Sequence, residues 1–312
     1  MINYNGWKPM LAARSERVDW GNFKFPMYAS PKIDGIRCTV INGVPRTRSG
    51  KSFPCEPLLR WFPWDEMEGL DGELVAGQAN MEGVFYHTSS VVMSKTPANM
   101  EMLTVQFLVF DKVMPTEEDI PAIPYYERKL AATNQVAALK GRHTQRIKMV
   151  EQVLVANADG LAEYHESNLA KHYEGTMVRS PVGLYKYGRS SGRSQGLVKI
   201  KEFEDAEAEI IAVIPKEVNN NESYTDELGF TKRSTRKEGK EAIDQVGSFR
   251  VRWINGEEFT VGAGLTDVQR TTLWFKRELL LGKMLKFRYM PYGVVNVPRL
   301  PTFLGIRSEL DL

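Results

Sequence analysis

Eight consecutive residues, Ser30-Pro31-Lys32-Ile33-Asp34-Gly35-Ile36-Arg37, place a lysine, an acid, a glycine and an arginine in an order that suits neither a buried strand nor a helix interior. Read as an extended segment, the stretch turns Lys32 and Asp34 to one face, because strand side chains alternate. Charges gathered on one face border a cleft, since burying them unpaired costs too much. Lys32 offers a nucleophile, Asp34 an acid, Gly35 close backbone approach and Arg37 a grip on an anion. The fold is therefore expected to assemble around this segment as a site.

The 312 residues suffice for two domains, and 26% charged with 42% hydrophobic residues describes a soluble globular protein. No apolar run approaches the roughly 20 residues of a membrane span, and the start Met-Ile-Asn-Tyr-Asn-Gly-Trp lacks a signal-peptide pattern, so the cytoplasm is the expected compartment. Cys38 and Cys55 are too few for a disulfide framework or a Cys-rich zinc site and read as reduced thiols. His87, His143, His165 and His172 show no metal-ligand spacing. A net charge of +2 decides nothing about nucleic acid, so any basic surface has to be local.

Asn42-Gly43, between Arg37–Ile41 and Val44–Arg48, predicts a tight hairpin that returns Arg46, Arg48 and Lys51 toward the first motif. These cations either face a phosphate or form a solvated edge. Leu70 to Val75 carries Asp71 and Glu73 on one face, and Val105 to Val113 reads as a buried strand containing Phe110. Helical spacing runs from Tyr125 to Leu139, with Gly141 as the stop, and from Leu161 to His172. Glu174-Gly175-Thr176-Met177-Val178-Arg179 follows. In Leu197-Val198-Lys199-Ile200-Lys201 the two lysines share a face while Val198 and Ile200 point inward. Two ammonium groups so placed repel unless an anion sits between them. Leu184 to Gly196 reads as a mobile loop able to bind phosphate.

Past Lys201 the pattern becomes short strands: Ile210–Ile214, Phe249–Ile254, Glu258–Gly262 and Met284–Met290. Thr266 and Gln269 form a capping-box pattern for a helix to Leu281 that Gly282 ends. Several strands around one helix predict a small barrel. Lys216 to Gly247 is too long for an idle connection and carries Lys232-Arg233-Ser234-Thr235-Arg236-Lys237-Glu238-Gly239-Lys240. It reads as a flexible arm on duplex phosphates, or as a solvated disordered excursion.

In chain order, Lys32-x-Asp34-Gly35-x-Arg37, Asp71-Gly72-Glu73, Phe110, Glu174-Gly175, Lys199-x-Lys201 and Arg299-x-Pro301-x-Phe303-x-x-x-Arg307 resemble the covalent nucleotidyltransferases. The last element is similar to that of the ATP-dependent DNA ligases, especially the small two-domain enzymes of bacteriophages. The resemblance implies an α+β fold: a nucleotidyltransferase (adenylation) domain of antiparallel sheets and helices over 1–204, then a C-terminal OB-fold β-barrel over 205–312, with a hinge near Phe203–Ala206.

By the same resemblance, Lys32 attacks the α-phosphate of ATP, with Asp34, Lys199 and Lys201 completing the catalytic set. Glu73 and Arg37 would hold the ribose, and Phe110 and Met177 would sandwich adenine. Arg48, Lys199 and Lys201 would grip the phosphates, and Arg299 and Arg307 would orient the leaving pyrophosphate. Glu174 and Asp34 would hold Mg²⁺ or Mn²⁺, while Lys232, Arg233, Arg236, Lys237 and Lys240 would meet nicked duplex DNA, the protein acting as a monomer. Alternation puts Met177 opposite Glu174, so its role calls for an irregularity at Gly175. A lysine amine of ordinary pKa, about 10.4, is protonated at neutrality, and a ring of Arg37, Arg48, Lys199 and Lys201 would favour its neutral form. Two other readings stay open: an mRNA capping guanylyltransferase, marked by use of GTP, and a non-catalytic OB-fold DNA-binding protein, marked by failure to form a covalent AMP adduct.

Overall fold

Lys32 to Gly35 does not continue a strand: in a computed structural model of the chain it links two separate five-stranded sheets. The alternation expected across Lys32 and Asp34 is thus replaced by a crossing between sheets. The structure describes residues 7–14, 23–97, 102–114, 122–143, 145–225, 231–234, 236–290 and 296–307. Two compact units result, Met1–Lys201 and Glu202–Leu312.

The first unit contains β1 (Met10–Leu11), β2 (Ala13–Arg14), β3 (Met27–Pro31), β4 (Ile36–Ile41), β5 (Val44–Arg46), β6 (Leu70–Ala76), β7 (Val105–Lys112), β8 (Ile147–Met149), β9 (Val153–Val155), β10 (Thr176–Arg179), β11 (Gly188–Arg189) and β12 (Val198–Ile200). One sheet has the order β5-β4-β6-β7-β8, the other β2-β12-β10-β3-β9, and β1 pairs with β11 in a separate ribbon. The hairpin forms as expected: Asn42 and Gly43 both take positive φ, 52° and 68°, which matches strand twist.

Helices α1 (Glu56–Trp61), α2 (Val84–Val92) and α3 (Tyr125–His143) cover the first sheet. Leu58, Val91, Val92, Ala132 and Val136 pack there with Leu74, Phe107 and Val109. A fully buried side chain of this kind contributes about 1.5–3 kcal/mol. Gly141 does not stop α3, because a helical glycine costs only about 1 kcal/mol and the helix is already anchored by that packing. α4 (Ala158–Ala170) starts earlier and ends sooner than its apolar spacing indicates, since Asn157 caps it by accepting from the Gly160 N–H at 2.8 Å. His172 lies beyond it with φ 63°. The stretch 184–196, expected to be mobile, is tied down through β11, through the Ser190 N–H to Leu11 O bond at 2.7 Å, and by burial of Gln195. Both cysteines are buried free thiols.

The second unit holds β13 (Glu204–Asn219), β14 (Ser223–Thr225), β15 (Thr231–Arg233), β16 (Lys240–Arg252), β17 (Glu258–Val261), α5 (Asp267–Phe275), β18 (Met284–Met290) and β19 (Arg299–Ile306). The strand order is β17-β16-β13-β18-β19, and Phe303 N–H donates to Ala263 O at 2.8 Å, joining the two ends into the expected small barrel. Its core includes Phe249 stacked on Phe303 at 5.8 Å. The Thr266–Gln269 capping box is present, but α5 ends at Phe275 and a short 3₁₀ turn, Arg277–Leu280, completes the segment.

Three expectations change in extent or form here. Ile210–Ile214 is the middle of a 16-residue strand, and Lys216–Gly247 is largely a two-stranded ribbon instead of a loop. Glu217 faces Ala242 and Asn219 faces Lys240, while Lys240 Nζ lies 3.5 Å from Glu217 Oε2. A run of charges can thus be a strand when its partner supplies the opposite sign. Of the segment expected as a hinge, Glu204, Asp205 and Ala206 are laddered to Tyr289, Arg288 and Phe287, so of it Phe203 alone lies outside regular structure. Among the described residues no helix is long and apolar enough to cross a membrane.

Candidate active site

Strand register arranges the first group of side chains. On β10, Met177 pairs with Ser30 of β3 and with Lys199 of β12, which places the three in one row. Two positions along, past the Pro31–Thr176–Ile200 row, the Lys32 N–H donates to Gly175 O at 2.9 Å. Gly175 has φ 147°, and a Cβ there would lie 2.1 Å from Ile200 O, so only glycine fits. Gly175 is thus an irregular point of the backbone between Glu174 and Met177. Glu174 is buried, and its carboxylate accepts from Lys32 Nζ through Oε2 and from Lys201 Nζ through Oε1. The protein's own anion thus sits between Lys32 and Lys201, a different pair from the Lys199 and Lys201 whose repulsion the sequence indicated. Thr176, directly after, is fixed by His165 Nδ1 at 3.0 Å and Asn168 Nδ2 at 2.9 Å, both from α4.

A second group lies on the β4–β6–β7 sheet. Arg37 faces Glu73 across the strand pair, and Thr39 faces Asp71. Asp71 is fully buried and accepts from Arg37 Nε and Nη2, each at 2.6 Å, from Thr39 Oγ1 at 2.7 Å and from Tyr185 O–H at 3.1 Å. Glu73 has no such saturation: its Oε2 is buried with no hydrogen-bond partner among the described residues. Burial raises its pKa to about 7, with Arg37 and Lys32 pulling down and Asp71 and Asp34 pushing up. Lys32 and Asp34 thus act on the same carboxylate although they are not on a strand.

Phe110 is the extra residue of a β-bulge, because Asp111 pairs with Asp71 while Val109 pairs with Gly72. Its carbonyl accepts instead from Tyr125 O–H at 2.6 Å and Gln152 Nε2 at 3.3 Å. The guanidinium carbons of Arg37 and Arg179 lie 4.6 and 5.0 Å from its ring centroid. Asp111, fully buried, accepts from Arg128 Nε at 2.9 Å and Arg179 Nη1 at 2.5 Å. Burial alone would raise its pKa; the two guanidiniums outweigh that and hold it below the ordinary carboxylate value.

The expected cationic ring is only partly assembled. Lys32 and Lys201 meet on Glu174 and Lys199 occupies the neighbouring row, whereas Arg48 is exposed in the turn after β5 and Arg46 donates to Gly50 O and Ser52 Oγ. No three His, Cys, Asp or Glu side chains gather as metal ligands among the described residues. On the second unit, Arg299 starts β19, and Arg307 donates to Glu207 at 3.1 Å. Arg233, Arg236, Lys237 and Lys240 are exposed on or beside the ribbon, and the side chain of Lys232 and all of Thr235 lie outside the described residues.

Sequence reasoning missed Tyr185, Arg128 and the role of Asp111. The signal for the last was available: 105, 107 and 109 are inward positions of β7, so 111 is too, and a buried acid demands cations. Arg128 follows Tyr125 by three residues on the buried side of α3.

The model of the ATP dependent DNA ligase domain matches residues 59–201, and that of the DNA ligase OB-like domain matches residues 238–307. The chain is similar to the Chlorella virus DNA ligase-adenylate, with 30% identity, TM-score 0.53, and coverage of 97% of this chain and 99% of that one. A structure from the Lig E DNA ligases shares the fold at 23% identity and TM-score 0.68, covering 96% of this chain and 99% of that one. No curated protein sequence matches.

Proposed function

The chain belongs to the ATP-dependent DNA ligases, and on that premise we propose that it seals 5′-phosphate/3′-hydroxyl nicks in duplex DNA through AMP carried on Lys32. Lys32 Nζ forms a bond to the α-phosphorus of ATP while the bond to the β-phosphate oxygen breaks and pyrophosphate leaves. AMP then passes to the 5′-phosphate, and the 3′-hydroxyl displaces it to close the strand. The observation that carries this reading is the Glu174 carboxylate shared by Lys32 and Lys201.

Attack requires the neutral Lys32 amine, because an ammonium has no lone pair to offer. An incoming triphosphate competes for the same cations. Lys201 and Lys199 turn to its oxygens and stabilise the charge that grows there in the transition state. Glu73, whose Oε2 has no partner among the described residues, and Arg37, held by Asp71, take the ribose. Phe110 and Met177 take adenine; Arg48, Arg299 and Arg307 complete the phosphate and pyrophosphate contacts. Mg²⁺ or Mn²⁺, when bound, neutralises phosphate charge, and Glu174 with Asp34 would hold it. That donor set fits a hard cation which takes one or two carboxylates together with substrate phosphates. The exposed ribbon cations, with Lys232, receive the duplex backbone, and the protein works as a cytoplasmic monomer.

Incubation with α-labelled ATP or α-labelled GTP and Mg²⁺, followed by a nicked-DNA chase, tests the reading. Label from ATP on the native protein, absent from Lys32→Ala and discharged as the nick closes, is expected. Label from GTP alone, or none from either nucleotide, would sink it.

A further inference from the structure

We infer that Tyr185 is a positioning residue for the nucleotide site: with the backbone of Met10 it locks the Arg37–Asp71 pair, so that the lead-in strand β1 acts on the chemistry through Arg37. This rests on the ligase reading above.

The argument is a closed ring of hydrogen bonds. The Met10 N–H donates to the Tyr185 hydroxyl at 3.1 Å, which donates to Asp71 Oδ2 at 3.1 Å. Asp71 accepts both Arg37 bonds, and Arg37 Nη2 returns to Met10 O at 3.4 Å. Arg37 is therefore held from its own sheet by Asp71 and from outside it by β1. One hydroxyl joins the two anchors. Without it, the buried Asp71 oxygen and the Met10 N–H each lose a partner.

The surroundings keep that hydroxyl in a single state. Tyr185 is 5% exposed; burial, then Asp71, drives its pKa well above the ordinary value, with Asp111 adding and Arg37 opposing. It therefore stays a donor to Asp71 at any working pH. Its position is set by the adjacent ribbon, where Met10 pairs with Gly188 and Leu11 with Arg189. Its ring shares a cluster with Trp7, Met10 and Leu197, against which Met177 packs. The same strap thus supports one expected adenine contact and one expected ribose contact.

Tyr185→Phe removes the hydroxyl and keeps the ring. The KM for ATP in Lys32 adenylylation should rise at least fivefold with kcat changed less than twofold. Sealing of a pre-adenylylated nick presents the same ribose to Arg37, so its KM should rise as well while its kcat stays within twofold. An unchanged KM in both steps, or a loss confined to kcat with a lowered Tm, would overturn the inference and assign Tyr185 to packing alone. Absence of label from ATP on the native protein would instead remove the ligase reading. Hydrogen exchange on the native protein gives a test independent of the variant. Because coupling is reciprocal, the Met10 and Leu11 amides should exchange at least tenfold more slowly with a non-hydrolysable α,β-methylene ATP bound, and unchanged exchange contradicts the proposal.

Discussion

The charges around Asp111 and those along the ribbon of the second unit are both paired, yet water reaches them very differently. Arg128, Arg179 and Asp111 have side chains 2%, 6% and 0% exposed, whereas Lys240 and Glu217 are 33% and 58% exposed. A buried pair costs several kcal/mol of desolvation and is held only by complete hydrogen bonding. An exposed pair contributes about 0–1 kcal/mol and can exchange its partner. The first arrangement fixes a neighbour, here the bulge that carries Phe110. The second leaves Lys240 able to trade Glu217 for a DNA phosphate. Fixed charge suits chemistry at one phosphorus atom, and exchangeable charge suits a backbone that slides past.

The difference is broken most severely at Asp111. Asp111→Asn removes the anion between two buried guanidiniums and should destabilise the first unit by about 3–5 kcal/mol, measured by urea unfolding. A loss under 1 kcal/mol would mean the cluster is wetter than its burial indicates.

Glu73 sharpens the contrast next. Its folded pKa of about 7 exceeds the ordinary 4.5, so the folded state binds the proton more tightly. Its contribution to stability is full below pH 4.5, falls as pH rises through the window 4.5 to 7, and is flat above. Glu73→Gln should remove that slope and leave the variant about 3 kcal/mol more stable than the native protein at pH 8, while weakening ATP binding. Thermal melts at pH 5 and pH 8 check this, and an unchanged difference between the two proteins would show that Glu73 is solvated.

The smallest effect is on ribbon stability. Lys240→Ala should change unfolding free energy by no more than about 0.5 kcal/mol, yet reduce the dependence of log K for DNA on log salt by about 1. A stability loss above 1 kcal/mol, or an unchanged salt slope, would place Lys240 among the fixed charges.

What the sequence made legible follows the same division. Lys32, Glu174, Lys199 and Lys201 stood out because they fall in the order of a motif set, although Lys199 alone of the four lies within a strand, and Met284–Met290 was read correctly as a strand. The Asp111 cluster was hidden because its cations lie 17 and 68 residues away, a pairing that only the fold creates. The ribbon was hidden for the opposite reason: its strands are polar on both faces, so they show no apolar period, and local pairing across Glu217–Ala242 and Asn219–Lys240 decides their form. Gly141 misled because helix packing outweighs a single glycine.

The most direct measurement is one protein carrying Arg233→Ala, Arg236→Ala, Lys237→Ala and Lys240→Ala, assayed separately for Lys32 adenylylation by ATP and for sealing of nicked duplex DNA. The account predicts adenylylation within twofold of the native protein and sealing reduced at least tenfold at moderate salt, recovering as salt is lowered. Loss of adenylylation in parallel with sealing would contradict it, since the ribbon charges would then belong to the fixed machinery of the nucleotide site.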